Sequence, residues 1–206
     1  MLKNKIKYYL ILFFISFSCL DASAISLEGY ISQENPKDAQ MIANAIYESS
    51  NRYNLDPLLV ASVFKIESNY HNEAVSSAGA IGIAQLMPGT AEMLNVDPID
   101  PIANIEGGTR YLREMLDLQN KNDPYRYNLA LASYNAGPGN VNQKVPSYTY
   151  DYIQSIKDEY ENLIRIIDYP ERYNPSPTGT VNKLSKKERL KKAIEKYKKE
   201  QKNKHH

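Results

Sequence analysis

Apolar positions along this chain recur mostly at helical spacing. Between residues 36 and 52, Met41, Ile42, Ala45 and Ile46 fall on one side, which predicts a helix from Pro36 to about Arg52. Asp56-Pro57 reads as the start of a second helix, because Asp can cap it and Pro fits its first turn. From Pro57 to Glu67 nearly every helical face is apolar, so this helix is expected to be buried and central. Residues 68–87, with Ser76, Ser77, Gly79 and Gly82, read as an irregular segment of turns with at most a very short hairpin. Further helices are expected at about 88–95, 101–119, 125–135 and 149–167. No stretch alternates apolar and polar residues over a strand length. The expected fold class is therefore mostly α with minimal β, the body running over residues 36–170.

The two ends differ from this body. Lys3, Lys5 and Lys7 precede an apolar run from Tyr8 to Leu20, and Ala22-Ser23-Ala24 offers small residues for cleavage. Residues 1–24 thus read as a secretory signal peptide, with a mature chain beginning at Ile25 and exported to the periplasm or cell envelope. Cys19 is the sole cysteine. The residues before it, Ser16-Phe17-Ser18, fit lipid attachment poorly, so lipid anchoring through Cys19 and an uncleaved anchor stand as lesser alternatives. Residues 25–35 read as a short polar lead. Residues 171–182, with Pro175, Pro177 and Gly179, read as a linker, and residues 183–206 as a basic, lysine-rich tail helix. Leu190, Ile194 and Tyr197 are helically spaced in that tail, which is either a solvated face or a docking element for an anionic surface or a protein.

The net charge of +1 hides this division. Residues 25–182 hold 11 Lys+Arg against 20 Asp+Glu, net −9, while residues 183–206 hold 11 Lys+Arg against three Glu, net +8. An acidic body argues against nucleic acid as a partner, since phosphate binding needs a basic face. The chain has no Trp but 17 Tyr, rings that suit either a core or a surface on which sugars stack.

Glu67 is the residue with the most chemical promise. Val60, Val63, Phe64 and Glu67 share one helical face, so the carboxyl extends an apolar stripe. Burial there and the negative end of the helix dipole both raise its pKa. A carboxyl protonated near neutrality can donate to a glycosidic oxygen, the role that lysozyme's acid plays. The alternative is a glutamate that reaches the helix end and points into water.

The blocks that follow Glu67 decide between these. Glu67-Ser68-Asn69 precedes Gly79-Ala80-Ile81-Gly82-Ile83-Ala84-Gln85-Leu86-Met87-Pro88. Asn104-Ile105 with Gly107-Gly108 and Tyr111-Leu112 come next, then Ala132-Ser133-Tyr134-Asn135-Ala136-Gly137. In this order and at these spacings, residues 35–155 resemble the lysozyme-like lytic transglycosylase (SLT) family. The resemblance implies a goose-type lysozyme-like helical domain with a glycan-binding groove, acting on peptidoglycan without metal or organic cofactor. It makes Glu67 the catalytic acid/base and Ser76, Gln85, Met87, Tyr134, Asn135 and Tyr152 substrate-binding residues, with Tyr134 close to Glu67 and orienting it. Two positions depart from the family pattern: Ala84 replaces a frequent Met, and Tyr148 stands where a Glu is frequent.

One carboxylate suffices for the implied reaction, in which the muramyl C6 hydroxyl closes on C1 and leaves a 1,6-anhydro end. A hydrolytic muramidase on the same fold would instead need a second carboxylate for water, for which Glu73, Glu106 and Asp151 are candidates. A wall-bound accessory module of a secretion or motility machine is the non-enzymatic alternative. The protein is expected to be a monomer.

Overall fold

A computed structural model describes residues 25–142 and 144–167. Cys19 and the segments expected to be a signal peptide, a linker and a basic tail lie outside the described residues.

Seven α-helices and two short 3-10 turns make up the described chain: α1 (Leu27–Ile31), α2 (Ala39–Arg52), α3 (Pro57–Ser68), α4 (Pro88–Leu94), α5 (Pro101–Asp117), α6 (Arg126–Ala136) and α7 (Tyr150–Ile166). The only β pairing among the described residues is three isolated bridges, Ile25 with Ile167, Val75 with Ile81, and Ile81 with Leu86. The mostly α expectation therefore holds, and the 68–87 segment beyond Ser68 is irregular as read, paired through two bridges that share Ile81.

Local chemistry explains where the helices begin. The Leu58 N–H donates to Asp56 Oδ1 at 2.9 Å and the Ala103 N–H to Asp100 Oδ1 at 2.8 Å, each cap standing directly before a proline at the first helical position. Two expectations need correction. The helix read from Pro36 begins at Ala39, because the Asp38 N–H donates to Asn35 Oδ1 at 3.1 Å and residues 36–38 are spent in that turn. The "polar lead" is not a lead: α1 lies inside residues 25–35, capped by Ser26, with Leu27 and Ile31 fully buried. Five residues are too few to display a helical period, which is why the pattern was silent there.

Helix α3 is the core. Every residue from Pro57 to Phe64 is buried, and the helix packs most extensively against α7 and also against α2. Helices α2, α5 and α6 form the adjoining layer through α2–α5 and α5–α6 contacts. Burying side chains such as Val60, Val63 and Phe64 contributes roughly 1.5–3 kcal/mol apiece before entropy is counted. It also fixes the axis at whose end Glu67 stands.

The segment after α3 is a loop that enters the core. Ile83, Ala84 and Leu86 are buried; Leu86 exchanges both backbone bonds with Ile81, whereas no helix or strand supplies those of Ile83 and Ala84. Side chains from three helices do so instead. Ser68 Oγ donates to the Ile83 carbonyl at 2.8 Å, the Tyr134 hydroxyl donates to the Ala84 carbonyl at 2.8 Å, and the Ala84 N–H donates to Asn104 Oδ1 at 2.7 Å. Asn104, fully buried on α5, also donates through Nδ2 to the carbonyls of Ile81 and Pro98.

The α5 helix can lie against this loop only because Gly108 has no side chain. A Cβ there would stand 2.3 Å from the Ala84 Cβ and 3.0 Å from the Phe64 ring. Gly108→Ala is accordingly expected to destabilise the fold by about 2–4 kcal/mol, since neither a helix backbone nor a buried methyl can yield cheaply. Thermal melting monitored by circular dichroism checks this.

Candidate active site

Glu67 occupies the penultimate position of α3, half-buried. The chain then leaves the helix through two consecutive left-handed residues, Asn69 (φ 51°) and Tyr70 (φ 63°). A tyrosine in that region is strained and persists only where its surroundings hold it. Here the fully buried Tyr70 donates its hydroxyl to the Ala61 carbonyl at 3.0 Å, and Asn35 Nδ2 donates to the Tyr70 carbonyl. The helix end that carries Glu67 is thus clamped from below.

Burial pushes the Glu67 pKa up to about 7, and the Tyr152 hydroxyl opposes this by donating to Oε1 at 2.5 Å. The same burial, with the Glu67 charge beside it, holds the Tyr152 hydroxyl well above its ordinary range, so it remains a donor. A carboxyl with a pKa near 7 and a fixed partner is equipped to give a proton and to take one back.

Tyr152→Phe removes the bond that favours the ionised carboxylate. The Glu67 pKa is then expected to move above 7, carrying the alkaline limb of activity upward, while the rate falls by about tenfold through loss of orientation. A pH–rate profile of the variant beside the wild type measures both.

The other expected residues take different places. Tyr134 does not orient Glu67: its buried hydroxyl is spent on the Ala84 carbonyl, an interior acceptor that needs a donor. It is close enough for the Glu67 charge to raise its pKa further, so it lines the site as a wall rather than as a hydrogen-bond partner. Gln85 sits at φ 48°, and its Nε2 donates to the carbonyls of Ala74 and Gly82, which rigidifies the loop and leaves its amide oxygen unspent. Ser76 Oγ accepts from the Ala80 N–H at 3.0 Å within its own turn. Met87 is 44% exposed at the head of α4, and Asn135 is exposed at the end of α6. No hydrogen bond joins Ser76, Gln85, Met87 or Asn135 to Glu67.

Of the candidate second carboxylates, Glu106 is occupied by Arg52 and by the Tyr53 hydroxyl at 3.2 Å. Glu73 and Asp151 are exposed. Tyr148, at the family's frequent Glu position, is 68% exposed. Among the described residues, no three His, Cys, Asp or Glu stand together to hold a metal ion. No described helix is long and apolar enough to cross a membrane.

A groove of about 680 Å³ lies between α4 and α5, lined by Thr90, Met93, Tyr111, Met115, Leu118 and Pro138 among others. Glu67 does not line it. The link is Tyr111, whose ring lies 5.3 Å from that of Tyr134 at a 54° tilt.

Residues missed from the sequence are the ones that hold the site together. The sequence by itself assigns no role to Asn104, Ser68 or Tyr70. A signal was present in Asn104, a polar residue on an otherwise buried helical face, and in the Gly107-Gly108 pair within a helix, where close backbone approach is the usual reason.

Residues 44–157 match the transglycosylase SLT domain family. A transglycosylase of Enterobacteria phage PRD1 is 42% identical over 106 residues, covering 50% of this chain and 37% of the phage protein. Membrane-bound lytic murein transglycosylase F 1 of Alkalilimnicola ehrlichii is 38% identical over 97 residues, covering 46% of this chain and 20% of that protein. The chain therefore spans between a fifth and just over a third of the length of these relatives. Among solved structures, the 70 kDa soluble lytic transglycosylase of Escherichia coli superposes with a TM-score of 0.50 at 23% identity, over 58% of this chain and 23% of that one. That likeness speaks for a lysozyme-like fold.

Proposed function

Because this chain belongs to the transglycosylase SLT domain family, we propose that it is a lytic transglycosylase of exported destination that cleaves peptidoglycan glycan strands with Glu67 as its one acid/base. The observation that carries the reading is the Glu67 carboxyl itself, half-buried at the end of an apolar helix, held by Tyr152 and raised to about 7.

In this reading Glu67, protonated, gives its proton to the oxygen between N-acetylmuramic acid and N-acetylglucosamine as the C1–O bond breaks. The resulting carboxylate takes the proton of the muramyl C6 hydroxyl, whose oxygen bonds to C1. A 1,6-anhydro end forms and no water is consumed. Holding that hydroxyl over C1 gains the advantage of an intramolecular step. Tyr152 keeps the carboxyl aimed, and the rigid 81–86 loop with Gln85 and the exposed Met87 and Asn135 bind the sugars. The apolar faces between α4 and α5 give sugar rings surfaces to stack on. No step calls on a metal or organic cofactor.

A hydrolytic muramidase is the second reading, favoured only by the exposed Glu73 and Asp151, and it is weakened by the occupation of Glu106. Incubation of the mature chain with purified peptidoglycan sacculi tests enzyme against binding module. The proposal expects soluble muropeptides to be released. Sacculi that retain the well-folded protein and release nothing would make it a wall-bound accessory.

A further inference from the structure

Helix α7 carries two tyrosines whose hydroxyls reach the two ends of α3. Tyr152 donates to Glu67 at the C-terminal end, and Tyr160 donates to Asp56 Oδ2 at 2.7 Å at the N-terminal end. Asp56 is also the cap of α3, its other oxygen accepting from the Leu58 N–H. The helices run in opposite directions, and the two contacts lie at matching ends of their interface. Asp56 and Glu67 are eleven residues apart, three turns and so on one face, about 16 Å along the axis. Tyr152 and Tyr160 are eight residues apart, about 12 Å, and the reach of the phenol side chains covers the difference.

Between these two bonds the contact is apolar. Ile153 and Ile156 of α7 are buried with the α3 residues Leu58, Val60, Ala61 and Val63 in one core, which Leu163 extends beyond Tyr160. Apolar burial is non-directional and does not by itself fix how far one helix slides along another. Two further ties of α7, Tyr30 to Glu159 at 2.6 Å and the Ile25 N–H to the Ile166 carbonyl at 2.9 Å, run to α1 and to the segment just before it. A shift of α7 by one residue is about 1.5 Å, enough to take a hydroxyl out of bonding distance of Glu67.

We propose that the Tyr160–Asp56 hydrogen bond is a register lock, a positioning contact that sets α7 along α3 and thereby places the Tyr152 hydroxyl on Glu67. Tyr160 touches no substrate and acts through Tyr152. The groups facing the lock are Tyr160 from α7 and Tyr47 from α2, whose pKa the Asp56 charge helps to raise; those facing Glu67 are Tyr152 from α7 and Tyr134 from α6.

The role of Glu67 in this inference rests on the proposed function, but its test does not need activity. The Glu67 carboxyl is titrated by carbon-13 NMR in wild type, Tyr152→Phe, Tyr160→Phe, Asp56→Asn and the double variant Tyr152→Phe/Tyr160→Phe. Tyr160→Phe is expected to raise the Glu67 midpoint in the same direction as Tyr152→Phe, and the double variant to go no further than Tyr152→Phe alone. Asp56→Asn keeps a cap and a partner for the Tyr160 hydroxyl and restores most of the wild-type midpoint. On sacculi, Tyr160→Phe lowers kcat about three- to tenfold with KM little changed. A Glu67 midpoint that stays at the wild-type value in Tyr160→Phe overturns the lock and leaves Tyr160 a stabilising contact only. Should Tyr160→Phe not fold, Asp56→Ser decides: it keeps a capping oxygen too short to reach Tyr160, so an unchanged midpoint overturns the proposal and a raised one supports it. An inactive wild type with the expected midpoints refutes the enzymatic reading and leaves the lock standing.

Discussion

Glu67→Gln is expected to lower the release of muropeptides from peptidoglycan by about a thousandfold, the middle of the range for loss of a general acid/base. Glutamine keeps the shape and an oxygen for the Tyr152 hydroxyl, so the site stays formed while its transferable proton is gone. The same variant carries a stability signature. In the unfolded chain Glu67 ionises near its ordinary 4.5, whereas in the fold it keeps its proton up to about 7. The folded state binds more protons across that window. The stability tied to the protonated carboxyl is therefore fully present below pH 4.5 and is lost as pH rises through 7. The ceiling is about 3 kcal/mol at ~1.4 kcal/mol per pH unit, and partial solvent access reduces it to about 1–2 kcal/mol. Glu67→Gln does not undergo this loss. It should melt higher than wild type by about 3–6 °C at pH 8 and match it at pH 4. Thermal melts at the two pH values, set beside the activity assay, check both halves. Gain of stability with loss of function at one half-buried carboxyl is the expected signature of the proposed acid.

Asn104→Ala carries the largest expected structural effect. It leaves the buried Ala84 N–H without an acceptor, removes a donor from the Ile81 and Pro98 carbonyls, and opens a void between α5 and the 81–86 loop. Buried groups left unpaired cost about 1–3 kcal/mol each, so a loss of about 3–5 kcal/mol and a fall in Tm of about 10–20 °C are expected. Asn104→Asp separates hydrogen bonding from volume. It keeps the acceptor for Ala84 but sets a second oxygen against two carbonyls, so it should destabilise nearly as much while leaving no cavity. Calorimetric melting of the two variants measures this. Because the loop holds Gln85 and contacts Ser68 and Tyr134, glycan cleavage should fail in both at temperatures where the rest of the fold survives.

The sequence showed the helices wherever apolar spacing ran beyond two turns or an Asp-Pro pair marked a start, as at Asp56-Pro57. Helix α1 escaped because its buried pair Leu27 and Ile31 spans a single turn. Glu67 stood out because it closes the stripe of Val60, Val63 and Phe64, a local regularity of one helix. Its partner did not. Whether Tyr134 or Tyr152 reaches the carboxyl depends on how α6 and α7 cross α3, and Tyr152 is 85 residues from Glu67. The resemblance pointed to the nearer-seeming tyrosine, and the buried Ala84 carbonyl claims it instead. Asn104 shows in the sequence only as a polar residue on a buried face, and its partners do not, since its three bonds all go to backbone groups of loops that no periodicity describes.

The central claim is that Glu67 serves alone and that the substrate's own hydroxyl closes on C1. Digestion of sacculi by the wild-type chain in oxygen-18 water, with the products read by mass spectrometry, tests it most directly. The account predicts 1,6-anhydro muropeptides carrying no label from the solvent. Reducing-end products with one oxygen-18 at the muramyl C1 would contradict it and assign the second step to water.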